Sequence, residues 1–326
     1  MITNSIQSGP YRLQLARINK MRRQIRKISF WNVNCDRRQT PKFGFNIPAA
    51  IPECLIENRL SGILDTVKEQ LHQPGSVFVL FEITDDIRIK IVDFAKANGW
   101  NTEFAKYNLS VDSYNYIVLT NSVEIRNPVL LPLTKSGKPY EGVRDKSPDQ
   151  LDECLGEEYE KGVFRLTVGD VCLFVIHLGL RNDSKLLQMA KLSEYTGDYQ
   201  NALIIGDFNS FDSRVGEPTL FSEQFQQLLA SRWNHLTEKI PWTFDNRTFP
   251  YDLLFKMMPE DKARYEKLLK GDDIPAFRQF LLDLPNRYTT VSTALDHAFA
   301  KGIVCSATAE SLPNLSDHSI INIVLD

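Results

Sequence analysis

The chain has no long apolar run. No stretch approaches the ~18 to 20 continuous apolar residues of a membrane-spanning helix, and no short apolar segment with a small-residue cleavage site follows the start. Cysteine is scarce. The five cysteines in 326 residues (Cys35, Cys54, Cys154, Cys172, Cys305) are widely spaced and odd in number. None forms a C-x-x-C pair, which argues against a zinc cage or a disulfide framework. Internal repeats and low-complexity tracts are also missing. These absences lead to the expectation of a soluble, cytoplasmic protein in a reducing compartment. Acid is missing locally: residues 1–27 carry Arg12, Arg17, Lys20, Arg22, Arg23, Arg26 and Lys27 and no Asp or Glu. The chain's net charge is −3, and without these seven bases the remainder has 31 basic against 41 acidic residues, a net of −10. A basic arm on an acidic body suits a phosphate-rich polymer or an anionic membrane surface. Tyr11, Leu15, Ile18 and Ile25 can share one helical face for the membrane contact. The plainer alternative is a solvated leader helix packed on the body.

The composition, 43% hydrophobic and 24% charged, suits a chain with a sizeable core. Strand-like apolar runs alternate with amphipathic stretches, the pattern of an α/β protein. Expected strands are Lys27–Val33, Val77–Ile83, Tyr114–Thr120, Gly162–Val168, Val171–Leu178, Ala202–Ile205, Ala294–Ala300 and Ser319–Leu325. Gly169-Asp170 reads as a tight hairpin turn between two of them. Helical spacing covers about Glu57–Leu71, Asp86–Ala97, Ser184–Thr196 and Glu217–Ser231, with Gly99 and Gly197 placed as C-caps. Adjacent hairpins mixed with helices imply mixed or antiparallel sheets covered by helices. Thr134–Glu160 reads as a surface loop. Residues of about 259–284 read as a helical insert that starts at Pro259-Glu260-Asp261. The division expected is a basic arm over residues 1–27 and one domain over 28–326.

Polar signatures end many of the apolar runs: Trp31-Asn32-Val33-Asn34, Glu82, His177, Gly206-Asp207-Phe208-Asn209, Leu295-Asp296-His297 and Ser316-Asp317-His318. Strand ends are where such groups can converge. A carboxylate at Glu82, at the tip of Val77-Phe78-Val79-Leu80-Phe81, is costly to bury unpaired. A divalent cation would account for it. Glu82 and Asp317, with amide oxygen from Asn32 or Asn34, form a hard donor set suited to Mg²⁺, with Mn²⁺ as an alternative. Asp207 and Asn209, two apart, share a face, so one can take a proton while the other donates to a phosphate oxygen. His318 follows Asp317 before one strand and Asp296 opens another; a carboxylate bonded to an imidazole holds its tautomer and can keep it protonated, and a cationic imidazole would stabilise charge on a transferring phosphoryl group. His177 is a second candidate phosphate donor, while His72 and His235 receive no role.

Gly206-Asp207-Phe208-Asn209 followed by Ser316-Asp317-His318 resembles the endonuclease/exonuclease/phosphatase (DNase I-like) superfamily of metal-dependent phosphoesterases. The resemblance spans about residues 28–326 and has its parts in family order: Asn32, Glu82, His177-Leu178, Asp207 with Asn209, Asp296, then Asp317-His318. Lys185-x-x-Gln188 with Leu192 is similar to the family's basic-x-x-Gln helix, and Thr243 to a threonine between the last two clusters. It implies a four-layer α/β sandwich of two packed, mainly antiparallel sheets flanked by helices. It also implies Mg²⁺ on Glu82 near Asn32, water activation by Asp207, phosphate held by Asn209, and His318 oriented by Asp296. Asn34, Asn115 and Thr243 complete the set as candidate substrate contacts. Two positions depart from the family pattern: Phe81 stands where many members have Gln, and Asn34 where many nucleases have Asp, which removes a charge near the metal site.

For substrate, the Gly-Asp-Phe-Asn-Ser wording and the basic arm favour a nucleic-acid phosphodiester. A phosphoinositide phosphatase would resemble Trp-x-Gly-Asp-x-Asn-Tyr-Arg and a Trp-Cys-Asp-Arg box, which this chain replaces with Ile204-Ile205-Gly206-Asp207-Phe208-Asn209-Ser210 and Ala294-Leu295-Asp296-His297. A sphingomyelinase-like enzyme usually needs secretion. A non-catalytic scaffold is the alternative from a different class.

Overall fold

In the computed structural model, the residues described are 24–33, 53–106, 115–133, 161–179, 182–209, 231–245, 258–270, 292–312 and 315–326, with a few isolated positions between 228 and 287. Asn34, residues 1–23 of the basic arm, the expected loop at 134–160 and all of the expected helix at 217–231 except Leu228 and Ser231 lie outside them. In chain order the elements are β1 (Lys27–Asn32), α1 (Glu53–Gln70), β2 (Ser76–Ile83), α2 (Asp85–Ala97), β3 (Asn101–Lys106), β4 (Asn115–Thr120), β5 (Ile125–Pro132), β6 (Gly162–Val168), β7 (Val171–His177), α3 (Asn182–Thr196), β8 (Ala202–Asp207), β9 (Asn234–His235), β10 (Phe244–Asp245), α4 (Pro259–Lys270), β11 (Ser292–Thr293), β12 (Asp296–Lys301), β13 (Cys305–Glu310) and β14 (Ile320–Leu325).

The strands form two six-stranded sheets, ordered β13-β14-β1-β2-β4-β3 and β5-β6-β7-β8-β12-β9, plus the short pair β10-β11. Within each large sheet one neighbouring pair is parallel, β1 with β2 and β7 with β8, and the others are antiparallel. A parallel pair needs a long crossover connection, and the two crossovers hold α1 and α3. Strand alternation divides the apolar residues between two faces. Val77, Val79 and Phe81 of β2 join Phe164, Leu173 and Ile205 of the other sheet in a core between the sheets. Phe78 and Leu80 turn to Ile63 and Val67 of α1 and Ile87 and Ile91 of α2. On the far side Phe174 and Ile204 pack on Met189 and Leu192 of α3. Helix, sheet, sheet, helix is a four-layer α/β sandwich, as the resemblance implied. Among the described residues no helix is long and apolar enough to cross a membrane.

Local signals account for several boundaries. Helix α2 opens on Asp85 and Asp86, which favour the positive N-terminus, and buries Ile87, Ile91 and Ala95 at helical spacing. It ends in a Schellman arrangement, with Trp100 N donating to Ala95 O, Gly99 N donating to Lys96 O, and Gly99 at φ +71°. The β6–β7 turn has Gly169 at φ +57°. Helix α4 begins at Pro259, as its start signal predicts. Sequence periodicity missed the longer strands β3, β5 and β13 and the two-residue strands β9, β10 and β11. Strands β3, β5 and β13 are outer strands of their sheets and none of their positions is buried, so they lack the fully buried apolar run that marks an interior strand. Strand β5 is further disguised by Asn127 at φ +51° and Pro128 beside a register shift.

Candidate active site

The polar signatures converge at one end of the sandwich because β1, β2, β7 and β8 finish there while β12 and β14 start there. Asn32 closes β1 and Asp207 closes β8, and across the sheet interface Asn32 Nδ2 donates to Asp207 Oδ2 at 3.0 Å. His177 closes β7 directly beside Asp207 in the ladder. Its Nε2 lies 3.7 Å from Glu82 Oε1 and 3.9 Å from Asp207 Oδ2. Asp296 opens β12 opposite Asp207, and its Oδ2 lies 2.8 Å from His318 Nδ1. Asp317 Oδ1 is 3.9 Å from the other ring nitrogen of His318. Thus Asn32, Glu82, His177, Asp207, Asp296, Asp317 and His318 form one buried cluster.

Glu82 reaches this cluster through a backbone irregularity. Phe81 faces the intersheet core, whereas Ile83, two residues on, faces the helices. Strict alternation would put both on the same side, so one extra residue has entered the strand, and the β2–β4 register shifts between Leu80 and Ile83. Glu82 is that residue, at φ +53°. A left-handed glutamate costs about 1–2 kcal/mol, a strain typical of functional positions. Gly206 solves a neighbouring packing problem. A β-carbon there would sit 1.9 Å from the Ile176 carbonyl oxygen, and its φ is +150°. Only glycine lets β8 run this close to β7 just before Asp207.

Asn209 follows in the left-handed region at φ +48°. Its N–H donates to Asp207 Oδ1 at 2.7 Å and its Nδ2 to Leu178 O at 2.8 Å. The buried Lys185 of α3 donates to Asn209 O at 2.6 Å, and Gln188 Oε1 accepts from Gly179 N at 3.0 Å. The Lys-x-x-Gln helix therefore braces the loops that carry Asn209 and follow His177. The Thr243 hydroxyl oxygen accepts from Leu295 N at 3.0 Å and Asp296 N at 2.8 Å, which seats Asp296. Asn115 Nδ2 donates to Ile83 O at 2.9 Å and to Asp85 Oδ1 at 3.1 Å, beyond the Glu82 bulge. Both side chains are fully buried and act on backbone next to site residues.

The electrostatics follow from this burial. Loss of water raises the Asp207 carboxyl to about 7, and neighbouring Asp296 adds to that, while His318 and the Asn209 amide pull the other way. For His318, burial lowers the pKa, but Asp296, by charge and hydrogen bond, and then Asp317 and Asp207 together hold it well above 6.5. Ligand atoms of Asp207, Asp296 and His318 lie within 4.8 Å of one another. Since His318 Nδ1 is engaged by Asp296, this trio forms an ion-pair network as it stands. The wider donor set fits a hard divalent cation. Four buried carboxylates, Glu82, Asp207, Asp296 and Asp317, face two imidazoles. Asp296 Oδ1 has no hydrogen-bond partner among the described residues. Two positive charges on the imidazoles would still leave an excess of negative charge.

Several supporting residues carried little or no sequence signal. Trp31 Nε1 donates to His318 O at 3.0 Å, Ser316 Oγ donates to Asn32 O at 2.7 Å, and His318 N donates to Ser316 Oγ at 3.1 Å. Phe244 stands edge-on to the His318 ring, centroids 5.1 Å apart. His235, given no role from the sequence, stacks on Phe299 and lies 3.1 Å from His297 Nδ1. Arg59 on α1 reaches two loop carbonyls described below. Arginine in an amphipathic helix reads as a solvated charge, so nothing in the sequence marks it.

No family model matches the sequence, and no curated protein sequence matches it. Solved structures do match in fold. An endonuclease/exonuclease/phosphatase family protein from Leptotrichia buccalis aligns with TM-score 0.54 and 13% identity over 92% of this chain and 99% of its own. The Neisseria 3′ phosphatase NExo, bound to a product DNA hairpin, gives TM-score 0.53 and 13% identity over 92% of this chain and 99% of its own. D. rerio TDP2, complexed with a single-strand DNA product, gives 0.51 and 12% over 92% of this chain and 98% of its own. The fold is thus that of the endonuclease/exonuclease/phosphatase, or DNase I-like, structures.

Proposed function

We propose that the protein is a metal-dependent phosphoesterase that hydrolyses phosphodiester bonds in nucleic acid. The observation that carries this reading is the buried Asp207, with a carboxyl near neutrality, set between the Asn32 amide and the Asp296–His318 pair. A carboxylate near 7 can take a proton from an attacking water at neutral pH. Asn209, held by Leu178 and Lys185, and His177 at the end of β7 hold the phosphate oxygens. His318, kept protonated by Asp296, balances charge as the P–O bond breaks in line with the incoming water. Glu82 and Asp317, with the Asn32 amide, would hold Mg²⁺ or Mn²⁺, which supplies Lewis acidity at the phosphate.

Nucleic acid is favoured over lipid by two of the structural neighbours, which are described with a DNA hairpin product and a single-strand DNA product. It is also favoured by the basic residues 1–27, which supply attraction to a phosphate backbone. The test incubates purified protein and Mg²⁺ with single-stranded DNA and RNA, abasic duplex, 5′-tyrosyl DNA, phosphoinositides and sphingomyelin. Asp207→Asn is the control. Cleavage of nucleic acid that the variant lowers by about 10²–10⁴-fold supports the proposal. Turnover of lipid alone overturns the substrate, and silence throughout overturns the activity.

A further inference from the structure

Two segments far apart in sequence meet beside the cluster: the exit of β1 at Asn32-Val33 and the approach to β14 at Leu315-Ser316-Asp317-His318. They are tied directly, since Ser316 Oγ donates to Asn32 O and accepts from His318 N, and Trp31 Nε1 donates to His318 O. A third element grips both from outside. Arg59 of α1 donates through Nε to Leu315 O at 2.7 Å and through Nη2 to Val33 O. One turn along the same helix, Gly62 makes room for this approach, because a β-carbon there would meet Leu315 Cδ2 at 2.6 Å.

The two carbonyls belong to the neighbours of site residues. Val33 follows Asn32, whose amide donates to Asp207. Leu315 precedes the Ser316-Asp317-His318 run that turns the imidazole toward Asp296. The guanidinium is a rigid plane whose two N–H groups hold two acceptors at a set spacing, a task that the single point charge of lysine does poorly. We propose that Arg59 is a positioning residue that sets the separation between the Asn32–Asp207 pair and the His318–Asp296 pair. In this role it acts through the two loop carbonyls.

The kinetic half of the test rests on the phosphoesterase reading, and the spectroscopic half does not. Arg59→Ala and Arg59→Lys are made in the full chain. The expected result is a kcat lowered by about 10–100-fold at a KM changed less than about threefold, the signature of misplaced reacting groups. Millimolar guanidinium should restore the Ala variant by about tenfold, and ethylammonium should not. Independently of turnover, the His318 ring N–H resonance should shift in the Ala variant and return with guanidinium. Arg59→Lys keeps the positive charge and serves if the Ala variant fails to fold. A kcat within about twofold of native in a folded variant, or folded Ala protein that guanidinium leaves unrestored, overturns the role. If the native chain turns over no phosphate ester, the phosphoesterase reading falls by itself, and an unmoved His318 resonance then overturns the positioning role separately.

Discussion

The two sheets are built alike, and comparing their tips shows how one scaffold makes unlike groups. In each sheet a central parallel pair is flanked by antiparallel neighbours: β2 beside β1 and then β14, β7 beside β8 and then β12. Asn32 at the end of β1 thus corresponds to Asp207 at the end of β8, and Glu82 of β2 to His177 of β7. The Asp-His dipeptide before β14 corresponds to the one opening β12. Each correspondence pairs groups of different charge or direction. Two carboxylates in place of Asn32 and Asp207 would repel at 3.0 Å, whereas amide and carboxylate bond. The two Asp-His dipeptides diverge, the one in β12 through the strand pleat. Within β12, Asp296 shares the intersheet face with Ala298 and Ala300, so His297 turns to the helix side, beneath Phe208 and beside His235. His318 lies outside β14, and its ring turns to Asp296 of the other sheet.

This comparison can be broken in graded ways. The largest effect expected is from Gly206→Ala, which drives a methyl into the Ile176 carbonyl and should separate β8 from β7. Denaturant unfolding should show a loss of more than about 4 kcal/mol or no folded protein, while alanine at the exposed Gly99, where no atom lies within 4 Å, should cost only about 1 kcal/mol. Next come the paired tips. Asp207→Asn should lower turnover by about 10²–10⁴-fold with the fold intact. Asn32→Asp, which sets a like charge against Asp207, should lower both activity and thermal stability.

The dipeptides come third. His318→Gln should cut kcat by about 10²-fold or more and, because it leaves Asp296 buried without its cation, also lower Tm, whereas His297→Gln should cost about 1–3 kcal/mol of stability and leave kcat within about fivefold. Steady-state kinetics and thermal melts on the same preparations separate the two.

The smallest effect is a pH slope in metal-free protein. The Asp207 pKa is raised from 3.8 to about 7 on folding, so its contribution to stability is fully present below 3.8 and lost as pH rises through about 7. His318 runs in the same direction: its contribution is fully present below 6.5 and is lost as pH rises from there through a folded pKa well above 6.5. Melts from pH 5 to 8 in EDTA should fall with pH, by no more than about 1.4 kcal/mol per unit from each group, and flatten in Asp207→Asn. A slope unchanged in that variant would contradict the burial argument for Asp207.

How much was legible differs by position. The interior strands announced themselves because burial on both faces demands continuous apolar runs, as in Val77–Phe81 and Val171–Ile176. The outer strands did not, because a half-solvated edge tolerates Lys106, Asn127, Pro128 and Thr308. Glu82, Asp207 and Asp317 were legible as polar residues that end or precede buried runs. The roles of Thr243 and Asn115 were not, because a hydroxyl seated on Leu295 and Asp296 amides and an amide capping Ile83 leave no spacing in the sequence.

By itself, then, the sequence determined the buried interior strands, the order in which they and the main helices follow, and the polar groups at their tips, because apolar periodicity and turn chemistry are local properties of the chain. Only the tertiary structure decided which tip faces which. The Asn32–Asp207 bond, the Asp296–His318 pair and the Arg59 clamp join residues brought together by sheet packing and crossover helices. Such contacts are set by the pleat and by the approach of one layer to another, and no local pattern encodes them.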